Sequence, residues 1–243
     1  MKEKIYTIPI NEAFDKDSEC PFCQLNQKLE KDILDYIMGP SYMEEDIRAE
    51  TDKAGFCKDH LNQMFFSGNR LGLALMLDTH LKKINKDMDS LLDNELKLAG
   101  EKKSLFKKSD EKSPFCEYQE TLKDSCYACR RLNIRMDSYF ETFFYLFKTE
   151  EDFRQKVSKS KGFCLDHFGR IVREGKEKLN SKTYQQMLQM LVPIQKENFK
   201  RIEEELDWFI QKFDYRFQSD PWKNSKDSVE RSILKISGLS IEE

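Results

Sequence analysis

The chain has 243 residues, with Lys+Arg 41 against Asp+Glu 44 and a formal net charge of -3. That length supports one large domain or two of roughly 100 to 120 residues, and the charge balance lacks the basic excess of a general nucleic-acid binder. Charged residues at 35% and hydrophobic residues at 39% imply a heavily solvated surface, and the longest apolar run, Leu71 to Leu77, falls well short of the roughly 20 residues that span a bilayer.

In chain order, residues 4 to 10 (KIYTIPI) are expected as one extended segment, and the first seventeen residues carry no apolar h-region, which predicts a cytoplasmic protein. A C-x2-C pair, Cys20 and Cys23, precedes a helical pattern through Leu25, Leu29, Ile33 and Tyr36 that stops at Gly39-Pro40. Ser41-x-x-Glu44 reads as a capping box opening a second helix, which runs to Gly55, a residue suited to the left-handed position that ends a helix. Gly55-Phe56-Cys57-Lys58-Asp59-His60 follows, then a loop and a longer helix marked by Ile84, Met88 and Leu91. A charged connector occupies 99–117, a solvated linker by composition.

The same order then repeats. Cys126 and Cys129 lead a helix with Leu132, Met136, Phe140, Phe143 and Phe147. Thr149-x-x-Asp152 matches a capping box, Gly162-Phe163-Cys164-Leu165-Asp166-His167 matches the first GFC motif, and Ile202, Leu206 and Phe209 repeat the long-helix spacing. The first cysteines lie 106 positions apart and the third cysteines 107, so the chain is an internal duplication. The second copy is about eleven residues longer, with the extra length near Arg173 to Asn180, and Pro193 predicts a kink or break near Val192. The expected domains are 1–98, the connector, 118–217, and a tail 218–243 with a short helix stopped by Gly238.

Six of seven cysteines and two of three histidines fall in these motifs. In a reducing compartment such usage points to metal or thiol chemistry before disulfides. A C-x2-C turn brings two thiolates to one ion. A helix beginning at GFC puts Cys57 and His60, or Cys164 and His167, on one face, with the helix N-terminus favouring thiolate. Each copy thus supplies a complete Cys3His set, Cys20, Cys23, Cys57 and His60 in the first and Cys126, Cys129, Cys164 and His167 in the second. Four such ligands suit tetrahedral zinc with no open position. An iron–sulfur cluster, free buried thiols and a redox-active CxxC are the alternatives. Two zinc ions with six thiolates would take the net charge to about -5.

Asp59 and Asp166 read either as acceptors orienting the ligand imidazoles or as acids favoured in a first helical turn. Cys116 reads as a spectator thiol and His80 as a satisfied or solvated histidine. The aromatic residues 139–147 read as core or an inter-module interface. No HExxH, GxSxG or GxGxxG is present.

With the leading Tyr6-Thr7-Ile8-Pro9-Ile10-Asn11-Glu12-Ala13-Phe14, the twin C-x2-C…GFCxDH pattern resembles a bacterial domain-of-unknown-function family met in Clostridia-like bacteria. The resemblance implies a bacterial cytosolic metal-binding protein. The resulting expectation is a mainly α-helical chain of two modules, each a helical hairpin and a long helix fastened by a Cys3His zinc site. Such a chain would serve protein interaction, self-association or regulation, without nucleic acid or membrane. The alternatives are a thiol- or zinc-responsive redox sensor, and an enzyme with a pocket between the modules.

Overall fold

The computed structural model describes residues 4–100 and 112–241. Among them are eleven α-helices, two short 3-10 turns and no strand. None of these helices is long and apolar enough to cross a membrane.

Helix α1, Lys4–Asp15, replaces the extended segment expected at 4–10. Strand alternation would bury Ile8 with Ile10, but Ile8 is exposed, while Ile10, Ala13 and Phe14 are buried at helical spacing. Tertiary burial of that face outweighs both the β-branched composition and the ladder bond lost at Pro9.

Helix α2, Pro21–Met38, starts on a proline whose missing N–H is not needed there. Phe22, Leu25, Leu29, Ile33 and Ile37 form its buried stripe. A 3-10 turn, Pro40–Met43, separates it from α3, Glu45–Ala54. The capping box at Ser41 does not form, because Ser41 lies inside the 3-10 turn and Glu44 takes the N-cap position. In the second copy Thr149 is the last residue of α7, Tyr127–Thr149, its hydroxyl donating to Tyr145 O, and Glu150 caps α8, Glu151–Lys159.

The remaining first-copy helices are α4, Lys58–Phe66, and α5, Arg70–Gly100, with α3 packed along α5. Residues 101–111 of the expected connector lie outside the described residues. Its end is helical: Ser113 Oγ accepts the Cys116 N–H at 3.2 Å and opens α6, Pro114–Asp124. The second copy's α9, Leu165–Lys178, has 14 residues where α4 has 9, which absorbs part of its extra length. Helix α10, Ser181–Gln211, runs unbroken through Pro193, so the expected break does not occur. Helix α11, Ser228–Ser237, ends on Gly238 in the left-handed conformation, φ 72°.

The chain forms two compact units that are cut differently from its two sequence copies. One gathers the described residues up to Lys28 and from Arg135 onward, and the other is Leu29–Ile134. The boundaries fall inside α2 and α7, so each unit takes its C-x2-C helix start from one copy and its GFC segment from the other. The first unit is built on an aromatic core. Phe14, Phe22, Phe143, Phe153 and Phe163 meet at centroid separations of 5.1 to 6.3 Å, and Phe22 stacks on Phe140 at 4.0 Å. Phe140, Phe143 and Phe147 therefore pack as core of that unit. In the second unit Ile33, Ile37, Ile47, Met64, Leu73, Met76 and Tyr127 are buried.

Candidate metal centres

The eight cysteines and histidines of the repeated motifs gather into two groups, and the grouping is crossed. Cys20, Cys23, Cys164 and His167 form site one, and Cys57, His60, Cys126 and Cys129 form site two; within each, the four donor atoms lie within 4.8 Å of one another. The expectation that each copy completes its own set is corrected: the C-x2-C of one copy meets the C-x-D-H of the other, and each site lies within one compact unit.

Local structure prepares each half-site. Cys57 and Cys164 are the N-caps of α4 and α9, with extended backbone at φ -72°, ψ 166° and φ -68°, ψ 166°. The histidine then falls at the third helical position, and Cys164 Sγ accepts the His167 N–H at 3.5 Å. In the other half-sites Cys23 N–H donates to Cys20 O at 3.1 Å, and Cys129 N–H to Cys126 Sγ at 3.5 Å.

Both imidazoles present Nδ1 to the sulfurs. His167 Nδ1 lies 3.5, 3.4 and 3.2 Å from the sulfurs of Cys20, Cys23 and Cys164. His60 Nδ1 lies 3.2, 3.3 and 3.4 Å from those of Cys57, Cys126 and Cys129. Sulfur pairs stand 3.5 Å apart at Cys23–Cys164 and 3.8 Å at Cys57–Cys129. Zinc–sulfur bonds of about 2.3 Å and zinc–nitrogen bonds of about 2.0 Å imply tetrahedral edges of about 3.8 Å for S–S and 3.5 Å for S–N. The donor sets fit a small tetrahedral cation with little rearrangement.

The electrostatics of the two groups agree with that chemistry. Burial opposes charge at His60, but Cys126 and Glu30 outweigh it and push its pKa up to about 10. Burial likewise opposes the Cys126 thiolate, and its hydrogen bond with His60 brings that thiol down to about 6. At His167 burial is again overcome, by Cys164 and Cys20, to about 9. Hydrogen bonds with Cys20 and Cys23 hold the Cys164 thiol far below its ordinary range, and the same contact with Cys164 drives Cys23 the other way. Burial raises the Cys129 thiol.

The surroundings differ. At site two a Glu30 carboxylate oxygen lies 3.0 Å from His60 Nε2 and also accepts from Gln63 Nε2 at 3.1 Å, the carboxylate–histidine arrangement that orients a ligand imidazole. Asp59 and Asp166 stay exposed in the first turns of α4 and α9, which favours the helix-dipole reading of both. At site one the His167 ring packs 5.7 Å from Phe22 and 5.9 Å from Phe140.

The seams between half-sites differ too. At site two Ser125 Oγ donates to Ala54 O at 2.7 Å, and Tyr127 N–H to Gly55 O at 3.0 Å. At site one Pro21 stands where Tyr127 stands and has no N–H to give. A side chain from α11 substitutes: the Lys235 ammonium, 1% exposed, donates to Glu19 O at 2.7 Å and Lys161 O at 2.6 Å. Glu19 and Lys161 occupy the positions of Ser125 and Ala54. The Glu19 carboxylate is held by Arg201 at 2.6 Å and lies 3.5 Å from Lys235, while Arg231 pairs with Glu205. Burial lowers the Lys235 pKa against the pull of Glu19 and Cys20.

Each GFC segment has its own support. Gly55 and Gly162 both take positive φ, 62° and 77°, although ψ of -158° puts Gly55 outside the left-handed helical region expected for it. Gln195 accepts the Phe163 N–H at 3.0 Å and donates to Phe163 O at 2.7 Å. His80, whose Nδ1 lies 2.7 Å from Asp52 O, packs over Gly55, a satisfied role as expected. Cys116 is exposed on α6.

Glu30, Lys235 and Gln195 were not legible as site residues. Each is a polar residue in a charged helical pattern, and Lys235 shares its buried face with Ser228 and Ser232 instead of an apolar stripe.

Across residues 1–243 the chain matches the profile of a family described as a family of unknown function, DUF6062. No curated protein and no solved structure matches the chain.

Proposed function

The chain belongs to the DUF6062 family, and since that family has no assigned function we propose, from the sites themselves, that it is a zinc-stabilised helical scaffold. Its eight motif residues are the ligands of two structural zinc ions, and its helical surfaces serve protein interaction or regulation inside the cell. The observation that carries the reading is the spacing of the donors, 3.2 to 3.8 Å among the sulfur–nitrogen and sulfur–sulfur contacts in both sites. Three thiolates and an imidazole fill a tetrahedral shell, the composition of a closed structural site.

When bound, the ion supplies no step of chemistry; it joins a C-x2-C turn to a helix N-terminus from the other repeat. Zinc binding free energies in small zinc modules are about 10–16 kcal/mol, comparable to the whole stability of a domain. Loss of an ion should therefore loosen its compact unit. Elemental analysis of protein purified without chelator tests this: two zinc ions per chain are expected, and well under two with no other metal would sink the reading.

A further inference from the structure

The two sites share one donor set but differ in access. At site one Cys20 and Cys164 are fully buried and Cys23 is 4% exposed. Phe22 and Phe140, fully buried, pack on the half-buried His167 ring, and Gly238 at the end of α11 approaches the sulfurs. A Cβ added at Gly238 would touch Cys164 Sγ at 3.6 Å and Cys23 Sγ at 3.8 Å. The Lys235 ammonium stitches the seam beneath. At site two Cys126 is buried, but Cys57 and Cys129 are both half-buried and stand 3.8 Å apart. Residues beside them, Lys58, Asp59 and Arg130, are exposed, so solvent reaches that edge of the donor tetrahedron.

We propose that Cys57 and Cys129 are an oxidation site, at which peroxide forms a disulfide between the two repeats and releases the ion of site two while site one is retained. The proposal rests on the reading that site two holds a metal. One thiolate of the pair attacks hydrogen peroxide, forming an S–O bond as the O–O bond breaks and hydroxide leaves. The second thiolate attacks the sulfenic sulfur, forming S–S as the S–O bond breaks and a second hydroxide leaves. Two electrons pass from the sulfurs to peroxide, and the two hydroxides take two protons from solvent. With two of four donors consumed, the divalent ion passes to water or a chelator. Cys126 is the poorer partner because it is buried where Cys57 and Cys129 are half-buried.

The test uses the metal-loaded full chain with Cys116→Ser, which removes the exposed thiol of α6. Metal content is measured first, then hydrogen peroxide is added and release is followed with a chromogenic chelator. Disulfides are mapped by mass spectrometry after alkylation. One equivalent of metal should leave at least about tenfold faster than the second, the lower end of what protein surroundings are worth at a metal site. The linked peptides should carry Cys57 and Cys129. Parallel release of both ions, prior loss from site one, or a Cys126–Cys129 bridge as the main product would overturn the proposal and leave the structural reading standing. Absence of metal at site two before peroxide is added would overturn both.

Discussion

Cys23 Sγ and Cys164 Sγ stand 3.5 Å apart across 141 positions of sequence, and the equivalent pair Cys57–Cys129 spans 72 positions at 3.8 Å. Each ion would thus cross-link the two repeats, with consequences that metal counting can read.

Paired substitutions distinguish crossed from within-copy ligation. Cys20→Ser with Cys164→Ser removes two donors from site one only and should cost one zinc ion per chain. Cys20→Ser with Cys57→Ser damages both sites and should cost both. If the second pair loses only one ion, the ligand sets are not those of the structure.

Glu30→Gln removes the carboxylate beside His60 Nε2. Metal affinity at site two should fall about 10- to 100-fold with site one unchanged, measured by competition with a zinc chelator. Asp59→Asn, on an exposed first-turn residue, should leave both affinities in place; a loss equal to that of Glu30→Gln would restore Asp59 as the orienting group.

Lys235→Met deletes two charge-assisted hydrogen bonds that tie Glu19 O to Lys161 O. Stability of the first unit should drop by about 2–3 kcal/mol in urea unfolding, and chelator should strip site one faster. Arginine at 235 should restore little, because a planar fork does not fit a fully enclosed ammonium site. Unchanged release from site one would show that α11 does not hold it.

Gly162→Ala forces a side chain onto a backbone at φ 77°, with the new Cβ 2.6 Å from Gln195 Oε1. The cost should exceed about 1 kcal/mol in thermal or urea unfolding, because Gln195 cannot withdraw without leaving both Phe163 backbone groups unpaired. A neutral result would mean that the GFC segment adapts.

Metal uptake at site two should release protons. In the apoprotein His60, raised to about 10, carries a proton at neutral pH, and the raised Cys129 thiol keeps its own. Both must leave for the ion to bind, so apparent affinity should rise by at least about a hundredfold per pH unit near neutrality and weaken as pH falls. Calorimetry in buffers of different ionisation enthalpy counts the protons; fewer than one per ion would contradict this state of the site.

Residue types and spacing alone were enough to reveal the repeated motif, the helical character of most segments, and the residues that cluster. A C-x2-C turn and a cysteine N-cap followed by histidine at the third helical position are local arrangements, and α4 and α9 form them as the motifs imply. The extended reading of 4–10 and the capping box at Ser41 differ from the structure for a related reason: burial of Ile10, Ala13 and Phe14, and of Ser41, decides those segments from outside, whereas the exposed Thr149 is taken up as the last residue of α7.

Which half-sites meet was beyond the sequence. The two copies carry the same half-motifs, so spacing cannot distinguish partners. The pairing within a copy closes 33 residues between Cys23 and Cys57 and 34 between Cys129 and Cys164, and the crossed pairing closes 68 between Cys57 and Cys126 and 140 between Cys23 and Cys164. Doubling a loop costs only about 0.6 kcal/mol, a difference that packing easily exceeds. The rings around Phe22 and Phe163, the seam at Ser125 and Ala54, and the ammonium of Lys235 arriving from the end of the chain supply that packing. They exist only once the chain has folded, which is why the residues that cluster were legible from the sequence and their pairing was not.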